Sequence, residues 1–534
     1  MRGGEVASKS TIDSLTGLRF LAALSVAVSH GALLTMRANP ELSHIVEVFA
    51  RVAGFGMTLF FVLSGFVIHY NYRNVVTQGG MSGFGAFIWA RFTRLYPLFF
   101  LILVLDFLFH ARANYDPFRL DTQIRALPYY LVMIQSWIYM PIRDHTLIYT
   151  IGVAVPVTWS ISTEWFFYLV FPAIAPIVLF VQRARTAIVV GVLWCIFWWV
   201  AMSIVRVNMV PIENWAVEYY GPLASAEIAS QDSFQRWLLY FSPYARIGEF
   251  ILGCIVAQAY LICEERVVGI GERKLGLFVQ SAALLTVMFL CFYVYARGAP
   301  QFLTNVRQNF ALAPTIAILI FCSARYSGPL TSFLSSRSMV WLGDISYEIY
   351  LIHMAVFVFV KRAVQTYLLP SPNYEYGPIE FLVGLALLAP ISYTLHRLYD
   401  VPVRSWLRGV WQNTSVIRVA VSGKQISLAI ILIPIAFYFL FQTYITTQLP
   451  ELTRKGGISV VAAFENSSCG NNSEDISRVL TMECGGRESC YVDLPSSSPR
   501  SAPLQCVRTY DIKYQCNGAL GVVAAAVSGL LPVS

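Results

Sequence analysis

Apolar residues in this chain are gathered into long blocks separated by short polar stretches. A helix needs about 17–25 predominantly apolar residues to cross a bilayer. Eleven runs of that kind are read, at about 16–36, 54–71, 95–110, 159–181, 186–206, 242–262, 275–296, 308–325, 341–361, 378–397 and 426–446. The third is short, and residues 125–140, with Tyr129, Tyr130 and Trp137, read as a re-entrant or interfacial segment. The pattern predicts an all-α polytopic membrane protein.

The polar positions inside these runs are more telling than the runs. The first carries Arg19 and His30. At about 100° per residue their separation of eleven amounts to three turns plus roughly 20°, so both point along one helix face, about 16 Å apart. A charge at mid-membrane costs about 2.5–3.5 kcal/mol on insertion scales, so such residues face a polar interior or a partner. Glu164, Arg246, Glu249, Asp344, Glu348 and His353 interrupt later runs in the same way. The same cost predicts that they converge inside the bundle.

Composition sharpens the class. Of 534 residues, 57% are hydrophobic, 14% aromatic and 13% charged, against about 25% charged in soluble domains. No basic block, zinc-type cysteine spacing or nucleic-acid motif is present, so nucleic acid is not expected as a partner and no metal-ligand set is read. Met1 to Ser10 is polar, without a signal-peptide layout, which makes the first run a retained anchor after a cytoplasmic N-terminus at 1–10. With that orientation the inner segments collect Arg73, Arg91, Arg94, Arg183, Arg185, Arg266, Arg273, Lys274, Arg325, Arg337, Arg397, Arg404, Arg408, Arg418 and Lys424. Segment 207–235 falls outside with Glu213, Glu218, Glu227 and Asp232 and no basic residue, Lys361 and Arg362 being the outer exception elsewhere. Cys195, Cys254, Cys263, Cys291 and Cys322 sit in apolar spans as small hydrophobes. Cys469, Cys484, Cys490, Cys506 and Cys516 crowd the polar end that eleven spans place outside, where disulfides persist.

Several short patterns have both a plain and a chemical reading. Arg91 and Arg94, three apart at an inner helix end before Tyr96-Pro97, either anchor the helix at the interface or offer a double fork to phosphate oxygens. Glu164 either pairs with an intramembrane cation, or orients an imidazole or a substrate hydroxyl. Arg246 and Glu249 neutralise one another at a spacing of three. Tyr350 and His353 share a helix face, and Asp344 and Glu348 read as an i,i+4 pair. His69 and His110 lie at predicted span ends.

Taken in order, the segments resemble the integral-membrane acyltransferase family three. The resemblance rests on Ile12-Asp13 through Arg19 to His30, on Phe60-Phe61-Val62-Leu63-Ser64-Gly65-Phe66, and on Arg91-x-x-Arg94. Trp159-Ser160-Ile161-Ser162-Thr163-Glu164 and Ser346-Tyr347 through Tyr350-Leu351 to His353 complete it, covering about residues 11–405. It implies a membrane core over 11–410 of about ten helices that O-acylates surface polysaccharides, cell-wall sugars or small molecules, with acyl-coenzyme A, commonly acetyl, as donor from the cytoplasm. It further implies that His30 is catalytic with Arg19 beside it, and that Arg91 and Arg94 bind the donor phosphates. Glu164 is added as a catalytic candidate, with Asp13, Arg246, Glu249, Tyr347, Glu348 and His353 as supporting residues.

The expected reaction is transfer of an acyl group other than aminoacyl from cytoplasmic acyl-CoA to a hydroxyl of an extracytoplasmic carbohydrate or glycolipid. Neutral His30 serves as general base or, alternatively, as a nucleophile forming an acyl-imidazole. Arg19 fixes the donor or lowers the basicity of His30 through like charge. A transporter or lipid flippase also needs intramembrane charges, but no internal repeat is seen; a glycan-recognising membrane receptor leaves the arginines and His30 without a purpose.

The remaining divisions are a cytoplasmic linker at 411–425, the eleventh helix at 426–446, and a small disulfide-braced β-rich domain at 457–517 outside a bacterial inner (plasma) membrane. That domain has no serine-hydrolase elbow. It is weakly similar to the galactose/rhamnose-binding lectin type, with fewer cysteines than that type. Residues 518–534 are apolar, short for a span and unassigned.

Overall fold

The structure is a computed structural model that describes residues 12–37, 39–113, 117–142, 145–151, 155–294, 298–364 and 377–413, and strands between 459 and 533. Its contacts divide into two units: Met1–Phe107, Tyr129–Pro141 and Leu147–Ile431 in one, Leu108–Pro128, Ile142–Thr146 and Leu432–Ser534 in the other.

The first unit is helical. Its main helices are α1 (Asp13–Thr35), α2 (Ser43–Gln78), α3 (Gly80–Phe107), α4 (Trp159–Leu179), α5 (Ala184–Val207), α6 (Pro243–Cys263), α7 (Ile270–Tyr293), α8 (Ala313–Arg325), α9 (Arg337–Asp344), α10 (Ser346–Ala363), α11 (Gly377–Leu395) and α12 (Val401–Asn413). Among the described residues, eight helices are long and apolar enough to cross a membrane, nine if the bent pair α9–α10 is one span, and α8 is a shorter apolar helix. The ten runs read between 16 and 397 all fall on these helices, and the chain is a multi-pass membrane protein. The eleventh run, the linker at 411–425 (beyond Asn413) and the polar N-terminus lie outside the described residues.

Apolar side chains from α1, α2, α6 and α8, including Leu18, Leu63, Leu252 and Ile316, make one core. The outer faces of α5 and α7 present Leu193, Ile196, Phe278 and Leu285 to the surroundings, as lipid-facing helices do. Helix α6 starts where Ser242 accepts the Ala245 amide hydrogen and Pro243 sets the first turn, which orients Arg246 and Glu249 inward. Lys361, the outer-side exception, donates to the Leu34 carbonyl at 2.8 Å, capping the end of α1.

Three expectations are corrected. Helix α2 has 36 residues and is far longer than the run 54–71. His69 therefore sits inside it, fully buried and bonded to Gln258 at 3.0 Å, rather than at a span end. The ninth run is not one straight helix: it bends by 65° at Ile345. Asp344 and Glu348 thus lie on different helices, Asp344 exposed and Glu348 buried, and do not form the i,i+4 pair that continuous winding predicts. Residues 125–140 hold the end of a helix, Pro117–Leu131, and then turns that are pinned by Gln135, Ser136 and Trp137 to Thr158 and Ser162.

The second unit contains a four-stranded antiparallel sheet in the order Ser473–Asp475, Ser459–Ser467, Arg508–Cys516, Ala519–Ala526, and a separate pair of Cys490–Asp493 with Leu530–Val533. Within the apolar tail, Ala519–Ala526 and Leu530–Val533 are thus strands, with Ile512 opposite Val523 in register. The disulfide candidates Cys469, Cys484, Cys490, Cys506 and Cys516 fall outside the described side chains.

Candidate functional site

A cavity of about 760 Å³ opens within the helical unit. Helix α1 contributes Arg19, α2 Phe60, Ser64 and Tyr72, α3 Arg91 and Arg94, and α4 Ser160, Glu164 and Tyr168. Helix α10 adds Tyr347 and Tyr350, and the chain beyond α11 adds His396, Arg404 and Arg408. Five guanidiniums in one walled space make it a receptor for an anion.

Aromatic rings aim these cations. Arg91 donates to the Tyr72 hydroxyl at 2.6 Å and lies 4.5 Å from the centre of its ring. Arg94 stands 5.3 Å from the ring centre of Tyr347, whose hydroxyl donates to the Leu95 carbonyl at 2.7 Å. Glu164 accepts from Ser64 at 2.9 Å and, in a very short bond, from Tyr168. It lies in the electrostatic field of Arg19. It lines the cavity with its hydrogen bonds made to hydroxyls, and it does not touch His30.

His30 is not on the cavity wall. It is joined to the wall through His353 and Tyr350. The Nδ1 of His30 lies 2.8 Å from Nε2 of His353, the rings stacked with centroids 5.1 Å apart, and Nδ1 of His353 lies 2.5 Å from the Tyr350 carbonyl. A carbonyl only accepts, so Nδ1 of His353 carries the hydrogen. With His353 neutral, its Nε2 is an acceptor, and His30 must donate from Nδ1. That leaves Nε2 of His30 with its lone pair free, the arrangement of an oriented base. Tyr350 closes the adjoining wall: its hydroxyl lies 2.6 Å from Ser160 Oγ and 2.8 Å from the Val157 carbonyl. The cation acting on His30 is Arg236, itself between the rings of Tyr240 and Phe241. Arg19 is about 16 Å away along α1, and it is not the charge that acts on His30. Near Arg236, burial pushes the Tyr149 hydroxyl up to about 12, so it is neutral at pH 7.

The other candidates are elsewhere. Asp13 is exposed at the start of α1, where a carboxylate favours the helix dipole, and takes no part in the cavity. Arg246 and Glu249 pair at 3.3 Å as the spacing predicts, fully buried, with Arg246 also donating to the Gln308 carbonyl and facing the rings of Phe61, Trp159 and Tyr240.

One cluster escaped the sequence reading. Glu348 takes a hydrogen bond from His396 at 2.7 Å, His396 lies 3.8 Å from Asp400, and Arg404 and Arg94 reach Asp400 at 2.8 and 4.0 Å. Glu348, His396 and Asp400 bring three ligand atoms within 4.8 Å of one another, a set chemically suited to a divalent cation. Two guanidiniums already hold Asp400, so the positive charge there comes from the protein. A wide helical turn at His396–Asp400 swings both side chains toward α10. The i,i+4 spacings His396–Asp400 and Asp400–Arg404 were the available signal.

A family model for an acyltransferase domain matches residues 12–397. The acyltransferase MdmB of Streptomyces mycarofaciens is 26% identical over 66% of this chain and 80% of its own length. The putative peptidoglycan O-acetyltransferase YrhL of Bacillus subtilis is 26% identical over 76% of the chain, and the peptidoglycan O-acetyltransferase OatA of Listeria monocytogenes 21% identical over 81%. The chain spans 59% and 63% of the length of those last two. No solved structure matches it significantly. The matched residues run from the start of α1 to the His396 cluster, and so take in both the imidazole pair and most of the cavity: the chain belongs to acyltransferase family 3 and is an acyltransferase.

Proposed function

We propose that this enzyme transfers an acyl group, acetyl by analogy with the two O-acetyltransferase relatives, from cytoplasmic acyl-CoA to a carbohydrate hydroxyl on the other side of the membrane. The observation that carries the reading is the hydrogen-bonded chain from the Tyr350 carbonyl through His353 to His30. It fixes the His30 tautomer, so that Nε2 is the basic nitrogen.

In this reading Nε2 of His30 takes the proton of the acceptor hydroxyl as its oxygen attacks the thioester carbonyl. The C–S bond then breaks, an ester is left on the acceptor, and the imidazolium returns the proton to the departing thiolate. General-base help of this kind is worth about 10²–10⁴ in rate. Arg91 and Arg94 hold donor phosphates, and Arg19, counterbalanced by Glu164, draws the anionic donor into the cavity. Tyr350 and Ser160 stand where the donor's acyl end must reach the imidazole pair, so their hydroxyl contact opens during turnover. The N-terminus then lies in the cytoplasm.

Labelled acyl-CoA presented to proteoliposomes tests the proposal. Covalent transfer to a carbohydrate acceptor is expected, and His30→Ala abolishes it while donor binding persists. Vectorial movement of label without transfer supports the transporter alternative. Undiminished product from the His30 variant rejects the assignment.

A further inference from the structure

The five arginines of the cavity fall into two groups, which suit two separate anionic groups on one ligand. Arg19 and Arg91 share their end with Glu164 and Tyr168, and Arg94, the arginine that acts most strongly on Arg19, bridges to the second group. Arg94 and Arg404 instead share the buried carboxylate of Asp400, with Arg408 exposed on the same lining. One carboxylate among three guanidiniums leaves an excess of two positive charges. Glu348 is engaged by His396 at 2.7 Å and not by these guanidiniums. A phosphomonoester carries about −1.5 to −2 charge near pH 7 and matches that excess.

We propose that Arg404 and Arg408, with Arg94, form a second anion site that takes a terminal phosphomonoester on the ribose of the donor nucleotide, separate from the diphosphate held near Arg91. The inference rests on the acyl-CoA reading above and adds which part of the donor is discriminated. Asp400 has a positioning role: it ties Arg94 to Arg404 across two helices, and His396 and Glu348 brace it from behind. Planar guanidiniums fixed in this way lose less freedom on binding than loose side chains do.

The test compares the thioester of coenzyme A with that of its 3′-dephospho form, in nanodiscs of neutral lipid. The intact protein is expected to show a KM about tenfold lower for the phosphorylated donor, on the order of one charge-assisted anion contact. Arg408→Gln, at an exposed position where folding is not at stake, raises that KM to the level of the dephospho donor. Arg404→Lys keeps a cation beside Asp400 and gives a smaller rise. An unaltered KM ratio in Arg408→Gln, or no preference in the intact protein, overturns the inference while leaving the acyl-CoA reading standing. If adding anionic lipid erases the preference, the site holds a lipid headgroup and the inference again fails. No transfer from either thioester by the intact protein rejects the donor reading, and this site with it.

Discussion

His353 acts on the substrate only through His30, so its role is one of position. Its Nε2 supplies the acceptor that keeps the hydrogen on Nδ1 of His30. A side chain that still accepts should preserve part of the effect, and one that cannot should lose it. His353→Gln is therefore expected to retain more activity than His353→Leu, in which kcat falls on the order of 10²-fold while the donor KM stays nearly level. Steady-state kinetics on the two purified variants, with melting temperatures to match them for folding, reads this out. Equal losses in both would reduce His353 to a packing residue. The pairing was half legible: the sequence puts Arg19, His30 and His353 inside spans, where lipid contact is costly. That His30 meets an imidazole from a helix more than three hundred residues away, and not Glu164, follows from how the helices pack and is not encoded in any local spacing.

Helix contacts show the same division between what a pattern reveals and what packing decides. The apolar runs located ten helical segments, and the i,i+3 spacing found the Arg246–Glu249 pair, because both depend only on winding within one helix. The bend at Ile345 and the wide turn at His396–Asp400 are set by neighbouring helices, so Asp344–Glu348 was misread and the Asp400 cluster missed. Small residues at crossings are intermediate, visible in sequence yet interpretable only in the fold. Gly65 and Gly253 sit face to face between α2 and α6, and a methyl on Gly65 would land on the Phe250 carbonyl, one on Gly253 on the Val62 carbonyl. Gly65 follows Ser64, the hydrogen-bond donor to Glu164, so parting these helices also disturbs the cavity. Gly65→Ala should cost about 1–3 kcal/mol, as overpacking does, with a lower melting temperature and reduced transfer. Gly271→Ala, in the first turn of α7 with nothing near its side-chain position, is the matched control and should melt no lower than the parent. If both melt alike, the two helices are not held by this close approach.

At the scale of the whole molecule, the chemistry demands sidedness. The arginines of the cavity lie toward the helix ends that carry the basic connections, whereas His30 is about 16 Å further along α1. The acidic stretch with Glu213, Glu218, Glu227 and Asp232 joins α5 to α6. Lys274, in the first turns of α7 beside Arg273, follows a connection that holds Arg266. If retention of basic residues in the cytoplasm sets the orientation, these two positions face opposite compartments. Both are exposed, which suits a cysteine-labelling experiment on intact cells with a membrane-impermeant maleimide, the parent chain giving the background. Glu227→Cys should label from outside, and Lys274→Cys only after the membrane is opened. The reverse pattern would turn the mouth lined by Arg94, Arg404 and Arg408 away from the cytosol. A cytosolic thioester could then reach the cavity only by crossing the bilayer with its phosphates, and the donor assignment would fail even if the His30 geometry were right.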